Sequence, residues 1–111
     1  MDVFAAVADP TRRAMLDLIA ARPRRAGELV DAFPNLTQPA VSRHLRVLRE
    51  VGLVKVTSRA QQRIYGLNAE ALAPVYAWVA RYQGFWPRHL DALEHHLNAH
   101  VKTIPERRRK P

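Results

Sequence analysis

Between Thr37 and Glu50, the side chains of Gln38, Ser42, Arg43, Arg46 and Arg49 have the chemistry needed to read nucleic acid. An arginine fork pairs with guanine, a glutamine amide with adenine, and a serine hydroxyl with either. Val41, Leu45 and Leu48 recur at i, i+4 and i+7, so they share a helical face that can bury and leave the polar groups outward. Thr37 can cap the amino end, and Pro39 is tolerated because it lies in the first turn. Taken alone, this surface also fits an ordinary solvated helix face. The flanking elements decide between the two.

Those elements follow from residue period and punctuation. Residues 2–8 form a short amphipathic helix with Val3, Phe4 and Val7 apolar. Asp9 caps a second helix with Pro10 at its first position, and that helix buries Ala14, Met15, Leu18 and Ile19 and stops before Pro23. A third spans residues 25–33 and buries Ala26, Leu29, Val30 and Phe33, and Pro34, Asn35 and Leu36 turn the chain into the helix that follows Thr37. Gly52 closes that helix as a left-handed cap. The period then changes to two: residues 53–57 and 63–67 read as strands around a polar tip at residues 58–62, a β-hairpin. Asn68 caps a long last helix over residues 69–101, with Pro74 early and Pro87 kinking or dividing it. The order predicts a mainly α fold with a small β-hairpin, a winged helix-turn-helix whose reading helix is the fourth. Residues 1–101 make the domain, and residues 102–111 a basic, disordered tail.

Length and charge are consistent with this. At 111 residues the chain suits one domain with a modest core. Eighteen basic residues against ten acidic ones give a formal charge of +8, which favours polyanions without choosing among DNA, RNA and membrane. Most of the basic residues are arginine. The absence of cysteine excludes disulfides and thiolate metal sites. No signal-peptide pattern or membrane-length apolar run is visible, so a cytoplasmic location is expected. With four glycines, no phosphate-cradling loop is recognisable, and no nucleophile has a base and orienting acid at informative spacing. The reading is a non-enzyme without a cofactor.

The runs Ala8-Asp9-Pro10-Thr11-Arg12-Arg13, Gly27-Glu28-Leu29, Gln38-Pro39-Ala40-Val41-Ser42-Arg43-His44-Leu45 and Leu48-Arg49-Glu50-Val51-Gly52-Leu53-Val54 resemble the ArsR/SmtB family of bacterial repressors. The likeness covers most of the chain and is greatest to the metal-independent branch. It implies a homodimer formed by the first and last helices, with Val3, Phe4, Val7, Val75, Trp78, Val79, Tyr82, Phe85, Trp86, Leu90, Leu93 and Leu97 at the interface. The sequence supports this separately, because Tyr76, Trp78, Tyr82, Phe85 and Trp86 offer more aromatic surface than a small domain covers. A core stripe within one subunit is the alternative. By the same resemblance, Gln38, Ser42 and Arg43 face base edges of double-stranded DNA, with Pro39 in apolar contact. Thr37, Arg46 and Arg49 go to phosphates, and the wing brings Arg59, Gln61, Gln62 and Arg63. His44 packs toward the scaffold. Arg12 and Arg13 approach phosphate or serve packing and dimer contacts. Wings of the family often have a glycine at the tip, where this chain has Ala60 and Gln61.

The family also includes metal sensors. One site type needs cysteine in the third helix, and none is present. Another uses Asp and His on the last helix, where His89, Asp91, His96 and His100 are candidates. Pro87 occupies the place of the leading Asp, however, and Thr103 that of the trailing His. The resemblance therefore implies no metal, with a metal-responsive repressor as the alternative. A non-specific architectural DNA binder and a winged helix serving protein contacts are the other readings. The inducing signal is not legible in the residues.

Overall fold

Asp2 starts the first helix, α1 (Val3–Ala8), by accepting a 2.9 Å hydrogen bond from the Ala5 amide. Asp9 does the same for α2 (Pro10–Ala21) at the Arg12 amide, with Pro10 in the first turn where its missing N–H costs nothing. The computed structural model describes residues 1–86. These divide between a unit spanning Met1–Tyr76 and a second that begins at Ala77. The expected tail, and the part of the long last helix beyond Trp86, lie outside the described residues.

After Pro23, Arg24–Arg25 form a short strand, β1, so Arg25 belongs to a strand and to the cap of α3 (Ala26–Ala32) instead of to the helix itself. Two residues give no alternation from which a strand could be read. Leu36 donates to the Phe33 carbonyl at 2.9 Å in the turn, and α4 (Gln38–Glu50) then starts at its Thr37 cap, whose hydroxyl accepts from the Ala40 amide at 3.2 Å. At its other end Gly52 takes φ +85°, a conformation that favours glycine. Gly52 donates to Arg49 at 3.0 Å and Leu53 to Leu48 at 2.9 Å, the paired bonds of a Schellman motif. Leu53 is consequently a buried cap residue, not the first residue of a strand.

The hairpin is longer and tighter than its sequence indicates. Strands β2 (Val54–Arg59) and β3 (Gln62–Leu67) pair from Val54 with Leu67 to Arg59 with Gln62, leaving Ala60 and Gln61 as the turn. Ala60 makes this possible by taking φ 58°. Left-handed backbone costs a non-glycine residue roughly 1–2 kcal/mol, and glycine would give back part of that gain as unfolded-chain entropy. Ala60→Gly is therefore expected to raise stability by about 0.5–1 kcal/mol, measured as a higher urea midpoint. β3 is the central strand, flanked by β1 and β2.

The core of the first unit collects Met15 and Ile19 from α2, Leu29 from α3, Val41, Leu45 and Leu48 from α4, and Leu53, Val54 and Tyr65 from the wing. Val3 and Ala6 bring in α1. Each large apolar side chain buried this way stabilises by about 1.5–3 kcal/mol. The residues that aim α4 outward are thus the same ones that hold the fold together.

The last predicted helix is broken within the described residues. Asn68 does not cap with its side chain; its amide donates to the Gly52 carbonyl at 2.8 Å, tying it to the end of α4. A 3-10 turn, Ala69–Leu72, precedes α5 (Ala73–Ala80), and a second, Gln83–Phe85, follows it. Gly84 disfavours helix, and Pro87 has no N–H for the Gln83 carbonyl that a continuing α-helix would pair with it.

Candidate nucleic-acid interface

The burial of Val41, Leu45 and Leu48 fixes the rotation of α4, and Gln38, Pro39, Ser42, Arg43, Arg46 and Arg49 emerge exposed, with Thr37 at the exposed amino end. Ser42, Arg46 and Arg49 stand at i, i+4 and i+7, one row along the helix. Pro39 and Arg43 form a neighbouring row. Cross-strand partners share a sheet face, so the ladder sets Val56, Ser58, Arg63 and Tyr65 on one side of the wing and Lys55, Thr57, Arg59, Gln62 and Ile64 on the other. This separates two arginines that the sequence groups together at the wing. Arg63 joins Ser42, Leu45, Arg46, Arg49 and Tyr65 around a cleft of about 210 Å³. Arg59 lines the opposite hollow with Lys55 and Thr57. Gln61 and Gln62 border a third hollow beside the start of α3.

Hydrogen bonding sorts the arginines into two sets. In the first, the guanidinium groups are occupied within the protein. Arg12 donates from Nε to the Ala6 carbonyl at 2.8 Å and from Nη2 to Ala5 at 3.3 Å, while Arg13 donates to Val7 at 2.7 Å. These carbonyls end α1 and have no partner inside it. Arg24 donates to the Leu18 carbonyl at 2.8 Å, near the end of α2. The roles of Arg12 and Arg13 are therefore scaffold roles. In the second set, the guanidinium groups have no hydrogen bond or ion pair among the described residues: Arg43, Arg46 and Arg49 on α4, Arg59 and Arg63 on the wing, and Arg25 and Arg81 elsewhere. Five of these seven lie on α4 or the wing. Arginine remains charged at any physiological pH, so these groups are available to an anion.

His44 has the scaffold role expected of it. It is half-buried, and its Nδ1 lies 3.2 Å from Arg12 Nη1. Arginine can only donate, so Nδ1 accepts and the neutral ring has its proton on Nε2. Arg12 thereby links the carbonyl end of α1 to the reading helix. The Arg12 amide, with lesser help from the Arg12 charge, holds the Asp9 carboxyl below its ordinary pKa.

Between the end of α2 and the start of α3, Arg22 and Glu28 make a two-point pair, Nη2 to Oε2 at 2.6 Å and Nη1 to Oε1 at 3.4 Å. Glu28 also accepts from the Arg25 amide at 2.9 Å, securing the start of α3. The Arg22 bond first, and the Arg25 amide second, lower the Glu28 pKa to about 2. A carboxylate depressed in the folded state stabilises fully above its unfolded pKa and loses that contribution as pH falls through the folded value. Acid unfolding should therefore include a component between about pH 4.5 and 2, and Glu28→Gln should remove it. Urea midpoints across that range would show a shallower pH slope in the variant.

The residues predicted for a dimer face divide. Val3 is buried in the chain's own core, and Val7 and Val75 pack against that core. Phe4, Trp78, Val79, Tyr82 and Phe85 are exposed, as is Tyr76 at 72 %. In the second unit, Trp78 and Tyr82 meet edge to face at 5.5 Å, and Tyr82 lies 6.4 Å from Phe85. Trp86 is half-buried. Leu90, Leu93 and Leu97, and the metal candidates His89, Asp91, His96 and His100, lie outside the described residues. Among the described residues, no group of His, Asp or Glu could hold a metal ion, and no helix is long and apolar enough to cross a membrane.

Tyr65 is the interface residue that sequence reading passes over. It reads as a strand aromatic with one face to bury, and it does pack in the core. What could have exposed it is its place two residues after Arg63, on the same strand face.

A tight turn between α3 and α4, an exposed donor row on α4 and a basic hairpin beside it define a winged helix-turn-helix DNA-binding protein. A helix-turn-helix domain family matches residues 7–57. The transcriptional repressor SdpR of Bacillus subtilis is 32 % identical over 81 residues, covering 73 % of this chain and 89 % of that protein. The HTH-type transcriptional regulator Rv2034 of Mycobacterium tuberculosis is 39 % identical over 85 residues, covering 77 % and 76 %. The crystal structure of an ArsR family transcriptional regulator, RHA00566, superposes with a TM-score of 0.66 at 30 % identity, over 78 % of this chain and 88 % of that one. The chain belongs to the ArsR family of winged helix-turn-helix transcriptional regulators, and its partner is DNA.

Proposed function

We propose that the protein is a repressor that binds a pseudo-palindromic operator as a homodimer and acts by occupancy alone, without catalysis, cofactor or metal. The observation that carries this reading is the sorting of the arginines. Arg12, Arg13 and Arg24 are spent on carbonyls of the fold and Arg22 on Glu28, whereas the arginines of α4 and the wing are left for a polyanion. Gln38, Ser42 and Arg43 read base edges in the major groove, with Pro39 in apolar contact. Thr37, Arg46 and Arg49 hold the backbone, and Arg59, Gln61, Gln62 and Arg63 extend along the flanking DNA. The repressor named among its relatives supports the direction of control. In the second unit, the exposed Tyr82 and Phe85 support a second copy as partner, since exposed aromatic side chains of this kind mark association sites. Two-fold symmetry then sets half-sites about one helical turn, or a multiple of it, apart. The lack of cysteine agrees with the metal-independent branch. A regulator of chromosomal DNA works in the cytoplasm.

Nuclease protection on the DNA upstream of the protein's own gene, with light scattering on the protein, tests this. Protection of an inverted repeat by a dimer is the expected result. Protection of a single half-site by a monomer would overturn the symmetric reading, and uniform protection would overturn operator recognition.

A further inference from the structure

The cleft between α4 and the wing has the properties of a built anion site. Three arginines line it: Arg46 and Arg49 from the helix and Arg63 from β3. None has a hydrogen-bond or ion-pair partner among the described residues, and no acidic side chain lines the cleft. Positive side chains that share one cleft without a counter-charge favour an anion there. The fourth component is Tyr65. Tyr65 lines the cleft and is 8 % exposed, with no hydrogen-bond partner for its hydroxyl among the described residues. No unpartnered side-chain oxygen there is sealed from solvent, so the small exposed part of this otherwise buried residue includes the hydroxyl. A buried ring holds a neutral O–H donor in one place at little entropic cost. Ser42 stands on the same row of α4 as Arg46 and Arg49 and lines the cleft.

We propose that this cleft seats one phosphodiester of the DNA backbone, gripped by the forks of Arg46, Arg49 and Arg63 and by the Tyr65 and Ser42 hydroxyls. The proposal rests on the reading of the chain as a DNA-binding repressor and adds a named site to it. Guanidinium forks match phosphate oxygens in geometry as well as charge. Elements on both sides share the load, so one phosphate fixes the helix and the wing to the same point of the duplex. Two assignments change in consequence. Arg63 acts with α4 instead of with the wing tip, and Ser42 holds backbone instead of reading a base.

The test is a scan of a duplex in which single phosphates are replaced by neutral methylphosphonates, using the full chain and its Tyr65→Phe, Arg63→Ala and Arg59→Ala variants. Tyr65→Phe keeps the buried ring and removes only the hydroxyl, and circular dichroism checks its fold. For the wild-type protein, one position in each half-site should lower affinity roughly tenfold, the scale of a charge-assisted contact. In Tyr65→Phe that sensitivity should shrink several-fold, and in Arg63→Ala it should largely disappear. Arg59→Ala should bind more weakly but keep the sensitivity at that position. On random duplex, Arg63→Ala should lower the slope of log affinity against log salt by about one. Undiminished sensitivity at the same phosphate in both Tyr65→Phe and Arg63→Ala would overturn the cleft while leaving DNA recognition standing. Failure of the wild-type chain to bind any duplex would overturn both.

Discussion

Arg43→Ala should bind the operator about 5- to 150-fold more weakly than the wild type, the equivalent of about 1–3 kcal/mol for one bidentate base contact. Affinity for random duplex should fall by no more than a few-fold. Val41 and Leu45 on either side of it are buried, which turns Arg43 outward, and its guanidinium has no partner among the described residues. It also stays outside the residues lining the cleft with Arg63. A group placed this way has little to contribute to stability, so its loss should appear in sequence preference. Competition binding with operators substituted one base pair at a time would locate the effect. The variant should lose discrimination at one symmetric pair of positions and retain it elsewhere. Unchanged preference at every position would remove Arg43 from the reading set.

Leu48→Ala should destabilise the folded protein by about 2–5 kcal/mol, the cost of deleting a fully buried leucine and leaving a cavity. Leu48 is 0 % exposed and packs in the cluster that joins α2, α3, α4 and the wing. Its carbonyl also accepts the Leu53 amide in the cap that turns α4 into β2. Domains of this size have about 5–15 kcal/mol in all, so the change uses a large share of that margin. Urea unfolding should show a lower midpoint, and DNA binding should fall only with the folded fraction. The molecules that remain folded should keep wild-type operator preference. Altered preference at undiminished stability would mean that Leu48 positions the reading helix in a way that burial alone does not capture. The two variants thus separate the two faces of α4.

Much of the fold is legible in the residues because its signals are local. Asp2, Asp9 and Thr37 each accept the hydrogen bond expected of a cap, and Gly52 takes the left-handed conformation its position calls for. The i, i+4, i+7 spacing of Val41, Leu45 and Leu48 fixes which face of α4 is buried. What escapes the sequence depends on partners far along the chain. β1 exists because Arg24 and Arg25 meet Tyr65 and Ile64, which no pattern in two residues reveals. The two-residue wing turn depends on a left-handed alanine, a conformation that residue type argues against. Asn68 looks like a helix cap because it precedes a helical stretch, yet Gly52, sixteen residues earlier, takes its side-chain amide. The same holds for the site. The polar row of α4 is visible at once, but the alliance of Arg63 and Tyr65 with that row needs the register of the hairpin.

The most direct measurement of the central claim, that α4 and the wing recognise particular DNA, is a ratio. It compares the affinity of the wild-type protein for its protected upstream sequence with that for random duplex, both at physiological salt. Sequence-specific regulators reach about 10³ or more, and a ratio in that range is the result predicted here. A ratio near one would contradict the account and leave the protein as a non-specific binder of the DNA backbone.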